Sequence, residues 1–357
     1  MLYHLLVPLA DAFTVFNVFR YITFRTAAAT LTALFLAFVV GPPLIRRLSA
    51  LRAGQPIREI GPDHQHKEGT PTMGGLLILL SLVVSVLLWA DLTNRAIWSV
   101  LILTLGYGVL GFIDDYRKVT ERDSAGITAR TKLFWQSLLA VGVSFLIFTD
   151  PSFDGQLQVP FFKNFTPDIG WFYVPLAAFV IVAASNGVNL TDGLDGLAIG
   201  PVMIASGTFL ILAYTAGHAG LAEYLAVKSV PGSGQLAIFC GALVGGSLGF
   251  LWFNTYPAQL FMGDVGALAL GGALGAIAVH IRQEILLAVV GGIFVVETLS
   301  VIIQVSWFKV TGNRVFLMAP IHHHFEEVGW AEQKIVVRFW IISIILALVA
   351  LSSLKLR

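Results

Sequence analysis

The chain has 357 residues, 57% of them hydrophobic and only 12% charged, with a net charge of +1. A soluble domain carries about 25% charged residues, so this composition excludes one and defines a polytopic membrane protein; the near-neutral balance argues against a nucleic-acid partner. The lone Cys240 excludes an intrachain disulfide and any cysteine-based metal cluster, and its apolar surroundings read as a small buried hydrophobe.

The first basic residue is Arg20, so the start of the chain lacks the basic n-region of a cleaved signal peptide. A membrane-spanning helix needs about 20 apolar residues. Segments of this kind fall at 22–43, 71–90, 96–113, 133–149, 169–188, 196–217, 234–253, 265–281, 285–306 and 335–354, ten in all. The fourth and eighth are short. No internal repeat or linker divides them, which predicts one all-α domain over 1–357.

Polar motifs interrupt this pattern at regular places. "KEGTPTMGG" follows span one, "DDYRKV" span three, "NLTDGLDG" span five, "NTYPAQLFMGDVG" span seven and "APIHHHFE" span nine. Loops after odd-numbered spans hold thirteen Lys and Arg, whereas loops after even-numbered spans, with the C-terminal tail, hold six. The positive-inside rule therefore puts the odd-side loops in the cytoplasm and both termini on the outer, periplasmic side. Topology alone gathers all five motifs on one face, where a single site built from five loops is the economical reading.

The chemistry of that site starts from its acids. Asp114, Asp115, Asp192, Asp195 and Asp264 all stand beside span ends on the cytoplasmic face. Carboxylates next to hydrocarbon are costly and need partners, and clustered ones raise one another's pKa unless a cation neutralises them. Oxygen-only ligation suits Mg²⁺ or Mn²⁺, which keeps water and substrate phosphate in its shell. A plainer role exists for a single member: Asp192, followed by glycine and an apolar run, is placed to cap span six. Gly193 and Gly196 let backbone approach a ligand, and the loop opens a helix whose N–H groups favour anions. Lys67 and Lys132 are candidate phosphate binders, against the alternative that they serve only topology. His322, His323 and His324 cannot all ligate one ion from a helix, because adjacent residues diverge; one of them touching phosphate or acting as an acid is the better reading. Phe261, three residues before Asp264, is placed to stack on a nucleobase. Glu297 inside span nine requires a partner, and the Gly271/Gly275 and Gly241/Gly245 pairs read as helix packing.

Taken together, "PTMGGLLIL", "GFIDDYRKV", "NGVNLTDGLDGLA", "LGFLWFNTYPAQLFMGDVGALALGGALG" and "APIHHHFE" resemble the phospho-N-acetylmuramoyl-pentapeptide-transferase family of the polyprenyl-phosphate sugar-1-phosphate transferase superfamily. The resemblance runs over nearly the whole chain, and "IHHH" separates this family from relatives that transfer N-acetylglucosamine-1-phosphate. It implies a bacterial inner-membrane enzyme that transfers phospho-MurNAc-pentapeptide from UDP-MurNAc-pentapeptide to undecaprenyl phosphate with Mg²⁺, giving lipid I and UMP. It further implies Asp264 as principal metal ligand, with Asp115 a second candidate, and Asp114 and Asp115 as the catalytic pair. Asn189, Asp192, Gly193, Leu194 and Asp195 are implied as the nucleoside loop, with Phe261 stacking on uracil. Lys67, Lys132, Asn254, Gln304 and the catalytic-site His323 are implied as further substrate contacts. Ala267 stands where relatives can carry Ser. A related transferase using UDP-GlcNAc is the alternative. A transporter would instead place ionisable residues near mid-membrane on paired broken helices, and only Glu297 fits that. The sequence leaves the oligomeric state, a homodimer included, open.

This topology has a direct test. Cysteines placed beside Asp115, Asp192 and His323 are expected to resist an impermeant thiol reagent applied to intact cells and to react once the membrane is opened. Labelling of any one of them from outside breaks the one-face reading.

Overall fold

The computed structural model describes residues 1–51, 69–121, 126–151, 153–162 and 165–356. Lys67 and the basic residues Arg52, Arg58, Arg122, Lys163 and Arg357 lie outside them. Among the described residues nine helices are long and apolar enough to cross a membrane. They are α2 (Ile22–Ala50), α4 (Arg95–Glu121), α5 (Ala129–Phe148), α6 (Tyr173–Thr191), α7 (Ile199–Ala216), α9 (Gly234–Asn254), α10 (Gly263–His280), α12 (Gly292–Thr311) and α14 (Glu332–Leu356). A tenth apolar helix, α3 (Gly75–Trp89), is shorter because the non-helical "PTMG", with Met73 at φ +69°, precedes it; at 1.5 Å per residue it is about 22 Å long. The short helices α1 (Leu2–Leu6), α8 (Ala219–Leu225), α11 (Glu284–Val290) and α13 (Ile321–Glu327) complete the set.

Each of the ten expected spans holds an apolar helix among the described residues, nine of them long enough to cross a membrane, with two further differences. Span nine is broken at Gly291 into α11 and α12. Gly292 comes so close to α14 that an added Cβ would lie 2.7 Å from a Leu346 methyl carbon. Helix α4 runs on past its apolar stretch to Glu121, so Asp114 and Asp115 stay on a rigid helix rather than a loop.

The bundle is organised around α10. Every residue from Val265 to Val279 is buried, and the helix packs on α3, α4, α6 and α7. Small residues make this approach feasible. Gly271 and Gly275 face the backbone of α6 at Ser185 and Ile181, and Gly241 and Gly245 of α9 face Thr26 and Thr30 of α2, as the G-x-x-x-G spacing predicts. Backbone hydrogen bonds from Gly74 to Phe261 (2.8 Å) and from Gly75 to Met262 (2.9 Å) dock the start of α3 on the start of α10. At that end of the bundle the "DDYRKV" segment also arrives, with Gly111 of α4 against the Asp264 carbonyl. The chain termini lie at the other end: the Met1 ammonium donates to Leu88 O at the far end of α3 (3.2 Å), and α14 runs away from the site from Glu332.

At Gly111 a methyl group would overlap the Asp264 backbone, and overpacking a tight core costs about 1–3 kcal/mol. Gly111→Ala is expected to lower both the thermal midpoint in detergent and turnover. Gly142→Ala, where nothing lies within 4 Å, is expected to leave both intact, since Ala favours a helix over Gly by about 1 kcal/mol. Equal behaviour of the two variants in a melting and activity series refutes the close-approach argument.

Candidate active site

Asp114 and Asp115 end the apolar part of α4 and are each only 1% exposed. Asp264 occupies the first turn of α10, reached through Gly263 at φ +72°, a conformation that favours glycine. Together the three carboxylates offer oxygens that all lie within 4.8 Å of one another. The start of α10 also serves as an anion cradle, since the Val265 N–H donates to Asp115 Oδ2 (3.2 Å).

Two ammonium groups offset this charge. Lys118 lies 2.6 Å from Asp114 Oδ2 and 3.2 Å from Asp264 Oδ2. Lys132 bridges the same two oxygens at 3.2 and 2.7 Å. Asp114 Oδ1 accepts from the Ile127 N–H (2.6 Å), so both of its oxygens are engaged. Asn189, near the end of α6, donates to Asp264 Oδ1 (3.1 Å). Asp115 differs: its Oδ1 is buried without a hydrogen-bond partner. A buried carboxylate oxygen left in that state is costly. Three hard oxygen ligands with one lone pair turned to no donor fit a divalent cation of the Mg²⁺ or Mn²⁺ type.

The "TDGLDG" loop closes the site from the α6 side. Asp192 forms the C-terminal cap of α6, while α7 starts seven residues later with Ala198 at its N-cap; the capping role open to Asp192 in the sequence is not used. Burial, followed by the charges of Asp264, Asp115 and Asp195, pushes the Asp192 carboxyl up to about 8. Gly193 lies against the imidazole of His322, with no room for a side chain between them. Leu194 turns its side chain into a hydrophobic cluster with Ile335, Val336 and Phe339, so only its backbone faces the site. Asp195 accepts from Ala258 N (3.0 Å).

Other expected contacts brace loops. Asn254 accepts from Gly196 N (3.0 Å) and donates to Leu260 O (2.9 Å). Gln304 accepts from Val315 N and Phe316 N (both 2.9 Å) and holds the segment before α13. Phe261 is half-buried and exchanges backbone hydrogen bonds with Pro71 and Gly74 before α3. The three histidines have three environments. His322 is buried against Glu297 (3.1 Å), His323 pairs with Glu326 (2.6 Å), and His324 accepts from Leu317 N (3.2 Å). Glu297 thus has a ring nitrogen for a neighbour, although no hydrogen bond joins the two groups. Lys118 is the residue that sequence reasoning missed, although its spacing four residues after Asp114 on one helix was a readable signal.

Among the described residues, apolar helices closing on a largely buried acidic trio flanked by two lysines define a polytopic membrane protein with a centre that could hold a metal at one end. Residues 97–282 match the family model described as glycosyl transferase family 4, and residues 67–79 match phospho-N-acetylmuramoyl-pentapeptide-transferase signature 1. Proteins named phospho-N-acetylmuramoyl-pentapeptide-transferase from Pelobacter propionicus and from Geobacter sp. strain M21 are each 60% identical over 358 residues, covering all of both chains. The protein of that name from Syntrophus aciditrophicus is 58% identical over 359 residues, again end to end. The chain belongs to the phospho-N-acetylmuramoyl-pentapeptide-transferase family.

Because folding raises the Asp192 carboxyl from 3.8 to about 8, the folded protein holds this proton more tightly than the unfolded chain. Its contribution to stability is complete below pH 4 and is lost as pH rises through 8. Metal-free protein in chelator is expected to melt progressively lower from pH 5 to 9, and Asp192→Asn to flatten that limb. Parallel pH–melting curves for the two proteins count against this assignment.

Proposed function

We propose that this chain transfers phospho-MurNAc-pentapeptide from UDP-MurNAc-pentapeptide to undecaprenyl phosphate, releasing UMP and forming lipid I, the first membrane step of peptidoglycan synthesis. The observation that carries the reading is the acidic trio of Asp114, Asp115 and Asp264, balanced by Lys118 and Lys132 at the end of a membrane bundle. There a lipid phosphate at head-group depth meets a nucleotide diphosphate from the cytosol. The end-to-end identity with proteins of that name and the "IHHH" segment support a muramyl substrate over UDP-GlcNAc. We place the protein in the bacterial cytoplasmic membrane with this face inward, and read the whole chain as one domain, since residues as far apart as Gly75 and Glu332 brace the same site.

An apolar groove of about 290 Å³ runs between α6, α11 and α12, lined by Phe179, Ala183, Val188, Leu287, Phe294 and Ile302 among others. Val188 adjoins Asn189, so a prenyl chain lying in the groove delivers its phosphate toward Asp264. Asp264 and Asp115 would hold Mg²⁺, and the bound ion supplies charge neutralisation for phosphate oxygens.

A phosphate monoester has a second pKa near 6, so the lipid phosphate is mostly dianionic at pH 7 and needs little general-base help. Its oxygen attacks the sugar-bearing phosphorus directly. The new P–O bond forms there, the bridging P–O bond of the diphosphate breaks, and UMP leaves with the electron pair. Lys118 and Lys132 lower the repulsion between the two polyanions. Asp114, with both oxygens engaged, orients the lysines. Asp115, with one oxygen open, orients the lipid phosphate or accepts its residual proton. The Asp192–Asp195 loop and Phe261 hold the nucleotide.

Direct attack makes UMP release strictly dependent on undecaprenyl phosphate, with Asp264→Asn inactive yet folded. The check is UMP release in detergent from the UDP-linked substrate alone. A stoichiometric burst of UMP, with labelled muramyl phosphate retained on the protein and lost in both Asp114→Asn and Asp115→Asn, overturns direct attack. Near-normal turnover of Asp264→Asn sinks the site assignment.

A further inference from the structure

The nucleotide loop is permissive by itself. It carries Gly193 and Gly196, and Gly196 sits at φ +79°, so its own backbone gives little resistance to rearrangement. What fixes it comes from elsewhere in the chain, and much of it from the terminal helix α14. Glu332, in the first turn of α14, accepts from the Asp195 N–H (2.8 Å). Trp340, two turns further along, donates its indole N–H to the Gly196 carbonyl (3.1 Å). Leu194 and Leu197 plug into the cluster built with Ile335, Val336 and Phe339 on the same helix. The indole also lies against the start of α7 at Gly200, where a methyl group would overlap it. With Asn254 on the Gly196 N–H, both backbone polar groups of Gly196 are held by side chains from two different helices.

We propose that Glu332 and Trp340 are positioning residues for nucleotide recognition: α14 acts as a splint that sets the backbone of Asp195 and Gly196, and through it the carboxylates of Asp192 and Asp195. This rests on the reading that the 192–196 loop binds the nucleotide. Neither Glu332 nor Trp340 bonds to the acidic trio or lines the apolar groove, so their loss is expected to fall chiefly on nucleotide binding.

A hydrogen bond of this kind contributes about 1 kcal/mol, equivalent to roughly fivefold in an equilibrium constant. In the full-length enzyme in detergent, Glu332→Ala and Trp340→Phe are each expected to raise KM for the UDP-linked substrate about fivefold. The KM for undecaprenyl phosphate and kcat stay within about twofold on the same warrant. Glu332→Gln, whose amide oxygen can still accept, restores the KM; a residue needed for its charge shows no such rescue. Direct titration of each purified variant with UMP, without lipid, measures the same loss independently of turnover, and thermal midpoints confirm that each variant is folded. Phe261→Ala serves as the reference for nucleotide binding. If Phe261→Ala weakens UMP binding while Glu332→Ala and Trp340→Phe bind it normally, the splint is overturned and the nucleotide loop stands. If all three bind UMP normally, the nucleotide reading itself falls. If the α14 variants raise both KM values and lower kcat together, their role is general stability, and the proposal is wrong.

Discussion

Three carboxylates held within 4.8 Å of one another repel, and the active end of this bundle is arranged around that repulsion. At an effective dielectric of about 20, a pair of unit charges at this separation costs roughly 3 kcal/mol. The sequence offsets the cost with two lysines that share the same two oxygens, with the N–H groups of Ile127 and Val265, and with the positive end of α10. One oxygen of Asp115 is left over. The arrangement could hold one more cation.

That electrostatic arrangement requires a mechanical one. Asp264 reaches Asp115 only because α10 starts where α3 and α4 both touch it, and glycine occupies each point of nearest approach: Gly75 and Gly111 on the neighbours, Gly263 and Gly266 on α10 itself. Small residues that read as ordinary membrane-helix packing in the middle of α10 therefore have a second consequence at its start. They convert close helix contact into close carboxylate contact. The same geometry ties the "PTMGG" segment to "FMGD" through backbone hydrogen bonds, which fix the backbone of half-buried Phe261.

What the sequence made legible follows from physics that acts locally. Apolar runs set the ten spans, charge bias paired the loops, and acids at span ends marked the site. The rest depended on contacts between distant segments. The break of span nine at Gly291 is invisible to hydropathy, because both halves are equally apolar. The neighbour of Glu297 lies on α13, in a histidine triplet of which the sequence reading gave one member a phosphate or acid role; His322 lies 3.1 Å from this membrane carboxylate instead. Asn254 and Leu194 resemble ligand contacts in the motif, yet the Asn254 amide holds the backbone at Gly196 and Leu260, and the Leu194 side chain anchors the loop. Glu332 and Trp340 sit in a stretch with no chemical signature of its own.

The division of labour between the two halves of the site has a physical origin. The acidic trio lies on helix positions, where regular backbone bonds fix geometry without further help. The 192–196 loop follows the end of α6, where the helix supplies no more donors or acceptors and glycine removes steric guidance. Precision there has to be imported, through Asn254 from α9, His322 from α13 and Glu332 and Trp340 from α14. A phosphoryl-transfer site needs both reactants placed to within fractions of an ångström. On the proposed reading, a membrane bundle that meets this requirement at one end uses its terminal helix as much as those that carry the acids, and α14 packs directly behind the loop.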